Sequence, residues 1–261
     1  MIVSDRFGFV FIHIPKCAGT SVREALRDFQ EAAPQFLEKV GHHPVYGRID
    51  FTHLPLNVLA DIAPTSFEKL RTYETYAIVR DPMQRFQSAV SQHVKVYKKR
   101  GIAQFDRTEL EAEINNVISY LLATPQVINP EFIHFSRQSD FVFFGEEQLI
   151  QNIYALDRLG DLAQAIAERT GTLSLTFGHE NKTRIFRYQS LKEIAQISNQ
   201  HVKRFMPGPI HRWIRQSARG VMMKPRDKMI LPAFRTKAVQ TFVNEYYAKD
   251  YVLHHKALLS P

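Results

Sequence analysis

Phe7-Gly-Phe-Val-Phe-Ile-His-Ile14 runs directly into Pro15-Lys-Cys-Ala-Gly-Thr-Ser21. The first half is an aromatic and β-branched run of the kind that forms a buried strand. Pro15 stops it, because proline cannot donate to a sheet ladder. Small residues follow, and Ser21-Val-Arg-Glu-Ala-Leu-Arg27 reads as the start of a helix. A strand that passes through such a loop into a helix aims backbone N–H groups and a positive helix end at one point, which suits phosphate or sulfate. Lys16 adds a movable full charge there. The same letters would also serve an ordinary strand–loop–helix corner with a surface lysine. The loop departs from the common G-x-x-x-x-G-K-[ST] phosphate loop: Lys16 precedes Gly19, and the first glycine is missing.

A second strand–helix unit repeats the design. Thr75-Tyr-Ala-Ile-Val79 is a short apolar strand that runs into Arg80-Asp-Pro-Met-Gln-Arg-Phe-Gln-Ser88. Phe86, Ala89, Val90, Val94 and Tyr97 share one helical face, and Pro82 suits that helix's first turn. Arg80 ends the strand, and Ser88 sits about two turns into the helix. A guanidinium fork and a hydroxyl so placed can reach one phosphate. Taken alone, Arg80 and Asp81 could be a local ion pair.

Both motifs resemble those of sulfotransferases that use 3′-phosphoadenosine 5′-phosphosulfate (PAPS). P-K-C-A-G-T-S after an I-H-I strand end resembles their 5′-phosphosulfate loop, and R-D-P-x-x-R-F-x-S resembles their 3′-phosphate element. The wording is most similar to the carbohydrate branch that includes heparan sulfate 2-O-sulfotransferase and its bacterial relatives. Phe51-Thr-His-Leu-Pro55 resembles that branch's G-H-x-x segment, with Thr52 where glycine is usual. His179-Glu-Asn-Lys-Thr183 resembles its H-x-N-x-[ST] element, and Tyr246-Tyr-Ala-Lys-Asp-Tyr-Val-Leu253 its closing helix. The resemblance implies that Lys16, Cys17, Ala18, Gly19, Thr20, Ser21, Arg80 and Ser88 bind the nucleotide. It also implies that His53 takes the acceptor's proton while Lys16 stabilises the leaving group. His13, inside a strand, reads as a packed core histidine.

The chain has 261 residues and a net charge of +8, which fits one domain over 1–261 with a substantial core. Strands alternating with helices imply an α/β fold: a P-loop-like parallel sheet flanked by helices on both faces, with the phosphate loop at the carboxyl ends of the strands. Expected strands are 7–14, 47–53, 75–79 and 141–144. Expected helices are 20–30, 82–100, 108–122, one before Gly171 that carries Leu159, Leu162, Ala163 and Ile166, and one near 238–246. A basic, variable segment spans about 184–232. From His201 to Lys237 there are ten Lys or Arg and one acid, Asp227, so this stretch carries +9. It reads either as a solvated surface or as a groove for a polyanion or an anionic membrane face. Arg212, Arg215 and Arg219 are its candidate acceptor-binding residues.

Cys17 is the single cysteine, which excludes an internal disulfide and fits a reducing, cytoplasmic setting. No signal peptide or spanning segment is read. No Cys/His spacing supports zinc, and sulfuryl transfer needs no metal, so none is expected. The expected activity is transfer of a sulfuryl group from PAPS to a hydroxyl, that of a carbohydrate or another hydroxyl compound, including anionic ones. No nucleic-acid partner is expected. The rival readings are a nucleotide kinase, which would need Mg²⁺ ligands, and a non-catalytic binder of polyanions.

Overall fold

The computed structural model describes residues 1–31, 36, 40–177 and 232–259, with the short strands Arg184–Phe186 and Met223–Pro225. In chain order its strands are β1 (Ile2–Ser4), β2 (Phe9–Ile12), β3 (Gly41–His43), β4 (Gly47–Ile49), β5 (Glu74–Val79), β6 (Phe143–Phe144), β7 (Glu147–Gln148), β8 (Asn152–Ala155), β9 (Arg184–Phe186) and β10 (Met223–Pro225). The helices are α1 (Gly19–Ala25), α2 (Leu56–Ile62), α3 (Pro64–Thr72), α4 (Pro82–Tyr97), α5 (Arg107–Ala123), α6 (Leu159–Thr170), α7 (Lys237–Tyr246) and α8 (Ala248–Leu259). Two compact units partition the chain: Met1–Glu180 with Phe234–Pro261, and Asn181–Ala233. In the second, β9 and β10 pair antiparallel.

The first unit is built on a four-stranded sheet of order β1-β2-β5-β8. β2, β5 and β8 are parallel, and β1 pairs antiparallel with β2. This is the α/β architecture the sequence implies, with an antiparallel edge strand added. Gly8, at φ +62°, lets the chain reverse between β1 and β2. All four residues of β2 are buried, as are the last five of β5. A strand points successive side chains to opposite faces, so uninterrupted burial means both faces of the sheet are covered. Burying each such aliphatic or aromatic side chain contributes about 1.5–3 kcal/mol.

Three expected elements differ. Residues 47–53 do not join the main sheet; β4 stops at Ile49 and pairs only with β3. Asp50 ends it: its Oδ1 accepts from the Thr52 N–H at 2.9 Å and the Thr52 hydroxyl at 2.6 Å, a turn that leaves the strand path. Phe141 and Val142 are fully buried, but Phe141 ends the short 3₁₀ turn Gln138–Phe141 and Val142 caps it, and only Phe143–Phe144 pair, with β7. The sheet's last strand is instead β8. The helix expected over 20–30 ends at Ala25 and is followed by one 3₁₀ turn, Arg27–Phe29.

Helix boundaries elsewhere follow capping chemistry. Asp81 is not an ion-pair partner of Arg80 but the N-cap of α4; its side chain accepts the Gln84 N–H at 2.8 Å. Asp106 and Glu109 form a capping box on α5. Gly171 takes the left-handed conformation that closes α6. After α4 the positive φ falls on Lys99.

Candidate active site

Strands β2 and β5 end side by side, with Ile12 opposite Ala77. Their continuations therefore meet at the carboxyl edge of the sheet, where parallel sheets bind ligands. From β2 comes the loop 13–18, in which Lys16 (φ 67°) and Ala18 (φ 56°) are both left-handed. Such non-glycine residues cost about 1–3 kcal/mol each and cluster at ligand clamps. Gly19 opens α1 against the His13 imidazole. A Cβ at Gly19 would lie 1.7 Å from His13 Cδ2, so only glycine fits.

From β5 comes Arg80. Its Nη1 lies 3.5 Å from the Lys16 carbonyl and its Nη2 3.5 Å from Gln84 Oε1, both at the outer limit of hydrogen bonding. Its Nε is buried with no partner. Burial pushes the Arg80 pKa down. An anion in this position would supply the missing acceptor. Ser88 stands half-buried on α4, about 9 Å along the axis from Pro82. Thr20 is exposed and Ser21 half-buried at the start of α1.

Cys17 points inward and is 1% exposed, so only its backbone can face a ligand. Burial pushes its thiol up to about 12, which leaves it protonated and without nucleophilic character at neutral pH. Its Sγ lies 3.3 Å from Gln138 Oε1. Gln138 Oε1 also accepts the Arg80 N–H at 2.8 Å, and its Nε2 donates to the Arg80 carbonyl at 2.9 Å. One fully buried amide thus ties the loop to the end of β5.

Three histidines line the other side of the loop. The rings of His13 and His53 are 4.3 Å apart, and those of His53 and His134 5.4 Å. His53 is not on a strand as expected, yet it still abuts the loop: its Nδ1 is 3.1 Å from the His13 carbonyl. A carbonyl only accepts, so Nδ1 carries the proton and Nε2 keeps its lone pair. Burial pushes His53 to about 3, against the opposing His13 carbonyl. Burial and the neighbouring His53, then Lys16, push His134 to about 3. His13 is driven well below its ordinary value by burial and His53.

The model of the sulfotransferase family matches residues 1–256. The chain belongs to the sulfotransferase family. It is thus a transferase of sulfuryl groups. Comparisons with curated proteins and with solved structures return no match. Among the described residues, no helix is long and apolar enough to cross a membrane.

The structure brings Lys16, Cys17, Gly19, Arg80 and His53 of this sulfotransferase together. His179, Arg212, Arg215 and Arg219 lie outside the described residues. Sequence reasoning missed Gln138, His134 and Asp50, none of which belongs to a recognisable local pattern. It also passed over Arg85, whose position inside R-D-P-x-x-R was the available signal. That side chain is buried, donates to the carbonyls of His134 at 3.1 Å and Ser136 at 2.6 Å, and lies 3.7 Å from Asp250.

The histidines make the fold acid-sensitive. Their folded pKa values lie below the unfolded value near 6.5, so the unfolded state binds more protons as pH falls. Their contribution is complete above about pH 6.5 and is lost progressively toward pH 3. Asp50, raised by burial, works in the opposite direction. The expected result is a falling unfolding temperature below about pH 6.5. His134→Gln should flatten the slope of stability against pH by about 1.4 kcal/mol per unit. An unfolding free energy that is flat between pH 7 and 5 in urea titrations would contradict these shifts.

Proposed function

We propose that this sulfotransferase moves a sulfuryl group from PAPS to a hydroxyl, of a carbohydrate or a similar acceptor, by in-line displacement. The observation that carries the reading is the buried, unpartnered Nε of Arg80 beside the Lys16 loop. Two anionic subsites are needed for a nucleotide with phosphates at both its 5′ and 3′ ends. The loop 15–21 would hold the 5′-phosphosulfate through Lys16 and the N–H groups of Gly19 and Thr20 that open α1; the Ser21 N–H already donates to the Ala18 carbonyl at 3.1 Å. Arg80, with Ser88, would hold the 3′-phosphate.

In the transfer, a bond forms between the acceptor oxygen and sulfur while the bond from sulfur to the bridging phosphate oxygen breaks. The acceptor proton goes to His53 Nε2. The electron pair leaves with 3′,5′-ADP, whose new charge Lys16 stabilises. Burial makes His53 a weak base. Bound PAPS would bring negative charge next to it and raise its pKa. The acceptor proton also becomes more acidic as the new S–O bond forms. Holding both reactants in line supplies much of the remaining rate. The +9 stretch 201–237 supports an anionic acceptor through its charge alone.

The test is nucleotide selectivity. Arg80→Ala should weaken 3′,5′-ADP binding by roughly 10- to 150-fold, the value of one charge-assisted contact, and leave 5′-AMP binding nearly unchanged. Calorimetric titration in EDTA measures both. Equal losses for the two nucleotides would make Arg80 a structural residue and remove the 3′-phosphate subsite.

A further inference from the structure

The turn after β4 and the 3₁₀ turn Ile133–Phe135 bring a carboxylate and two imidazoles to one place. One ligand-capable atom from each of Asp50, His53 and His134 lies within 4.8 Å of the other two. We propose that these three residues form a binding site for a zinc-class divalent cation, and that the bound ion stops sulfuryl transfer by occupying the His53 lone pair. The second half of the proposal rests on the reading of His53 as the proton acceptor.

Hydrogen bonds hold two of the three side chains and the backbone of the third. His53 spends its Nδ1 proton on the His13 carbonyl, which presents Nε2 unprotonated, the outer-shell arrangement usual for metal-bound histidine. Asp50 is fixed through Oδ1 by two donors from Thr52, and its Oδ2 makes no hydrogen bond among the described residues. The His134 backbone is fixed because its carbonyl accepts from the buried Arg85 at 3.1 Å. The ring nitrogens of His134 make no hydrogen bond among the described residues. A tetrahedral zinc ion holds its ligands roughly 3.4 Å apart. Ligand atoms that lie within 4.8 Å of one another reach that spacing by shifts of about an ångström. Two imidazoles with one carboxylate select zinc, cobalt or nickel over magnesium or calcium, which take oxygen ligands.

The adjacent pairs His42-His43 and His254-His255 could also take up metal, so the experiment must separate the sites. The full, untagged chain is titrated with Co²⁺, and the visible absorption of nitrogen-ligated cobalt is followed, with Zn²⁺ as competitor. The expected result is one site that Asp50→Asn removes and that Thr52→Val, an outer-shell change, weakens by roughly 10- to 100-fold. Zinc-edge X-ray absorption on the unaltered chain should count two imidazoles and needs no variant to fold. Turnover should fall as that site fills and return with EDTA. Absence of nitrogen-ligated cobalt, or a signal that Asp50→Asn leaves intact in a chain that still binds 3′,5′-ADP, overturns the site and leaves His53 as the base untouched. Filling of the site without loss of turnover overturns the inhibition. The reading of His53 as the base fails separately, through the kinetics of its alanine variant.

Discussion

His53→Ala is expected to lower kcat by roughly 10²- to 10⁴-fold, the range for a lost acid–base group, or about 2.7–5.4 kcal/mol of transition-state stabilisation. Affinity for 3′,5′-ADP should change little, because the Nδ1 side is taken by the His13 carbonyl and Nε2, on the proposed reading, serves the acceptor rather than the nucleotide. The pH profiles should carry a second signature. Burial holds His53 at about 3, so kcat/KM should show no limb from this group between neutral pH and the onset of acid unfolding. If the donor is PAPS as proposed, its negative charge would raise this pKa, so any acidic limb should be displaced upward in kcat relative to kcat/KM. Steady-state rates for the native chain and the variant across pH, together with calorimetric 3′,5′-ADP binding, decide the matter. A variant with near-normal turnover would move the base to Asp50 or His179.

The parts of the site that could be read from sequence are those in which one continuous stretch makes both the element and the function. Pro15 to Ser21 carries its strand stop, its loop and its helix start in seven residues, and Arg80 to Ser88 does the same for the neighbouring strand. Capping residues such as Asp81 and Gly171 act on their immediate neighbours, so they too are local signals. The misread strand at 47–53 shows the limit. Its apolar content suggested pairing, but the Asp50–Thr52 turn, made by two polar side chains, diverts the chain before it reaches the sheet. The strand β8 is only four residues long and is held by parallel pairing to β5, which no local pattern announces. His134 meets His53 across 81 positions, and Gln138 meets Cys17 across 121. Such convergence exists only once the sheet has set the strand ends in register. Arg85 was visible within the motif, but nothing in the motif says that its guanidinium is buried against the carbonyls of His134 and Ser136.

That buried face supports the largest expected effect on stability. Asp250 on α8 is fully buried and accepts from the N–H groups of Gln138 at 2.7 Å and Ser139 at 2.9 Å, with Arg85 beside it at 3.7 Å. Asp250→Ala would orphan two buried amides and leave a buried guanidinium without its counter-charge. Removing one partner of such a pair typically costs about 3–5 kcal/mol, which urea unfolding monitored by circular dichroism can measure. Arg85→Met should cost a similar amount for the converse reason. The double variant Arg85→Met/Asp250→Leu should cost clearly less than the two single losses combined, because no lone buried charge remains. The same variant reaches the active site without touching a ligand. Gln138 is held by Asp250 through its backbone and holds both ends of the Arg80 peptide through its side chain. Loss of Asp250 should therefore weaken 3′,5′-ADP binding even at temperatures where the variant remains folded. A loss of stability below about 1 kcal/mol, well under the buried-pair range, would mean that the Arg85 guanidinium is satisfied by the His134 and Ser136 carbonyls alone. Unchanged nucleotide affinity in a destabilised variant would mean that Gln138 keeps Arg80 in place without support from α8.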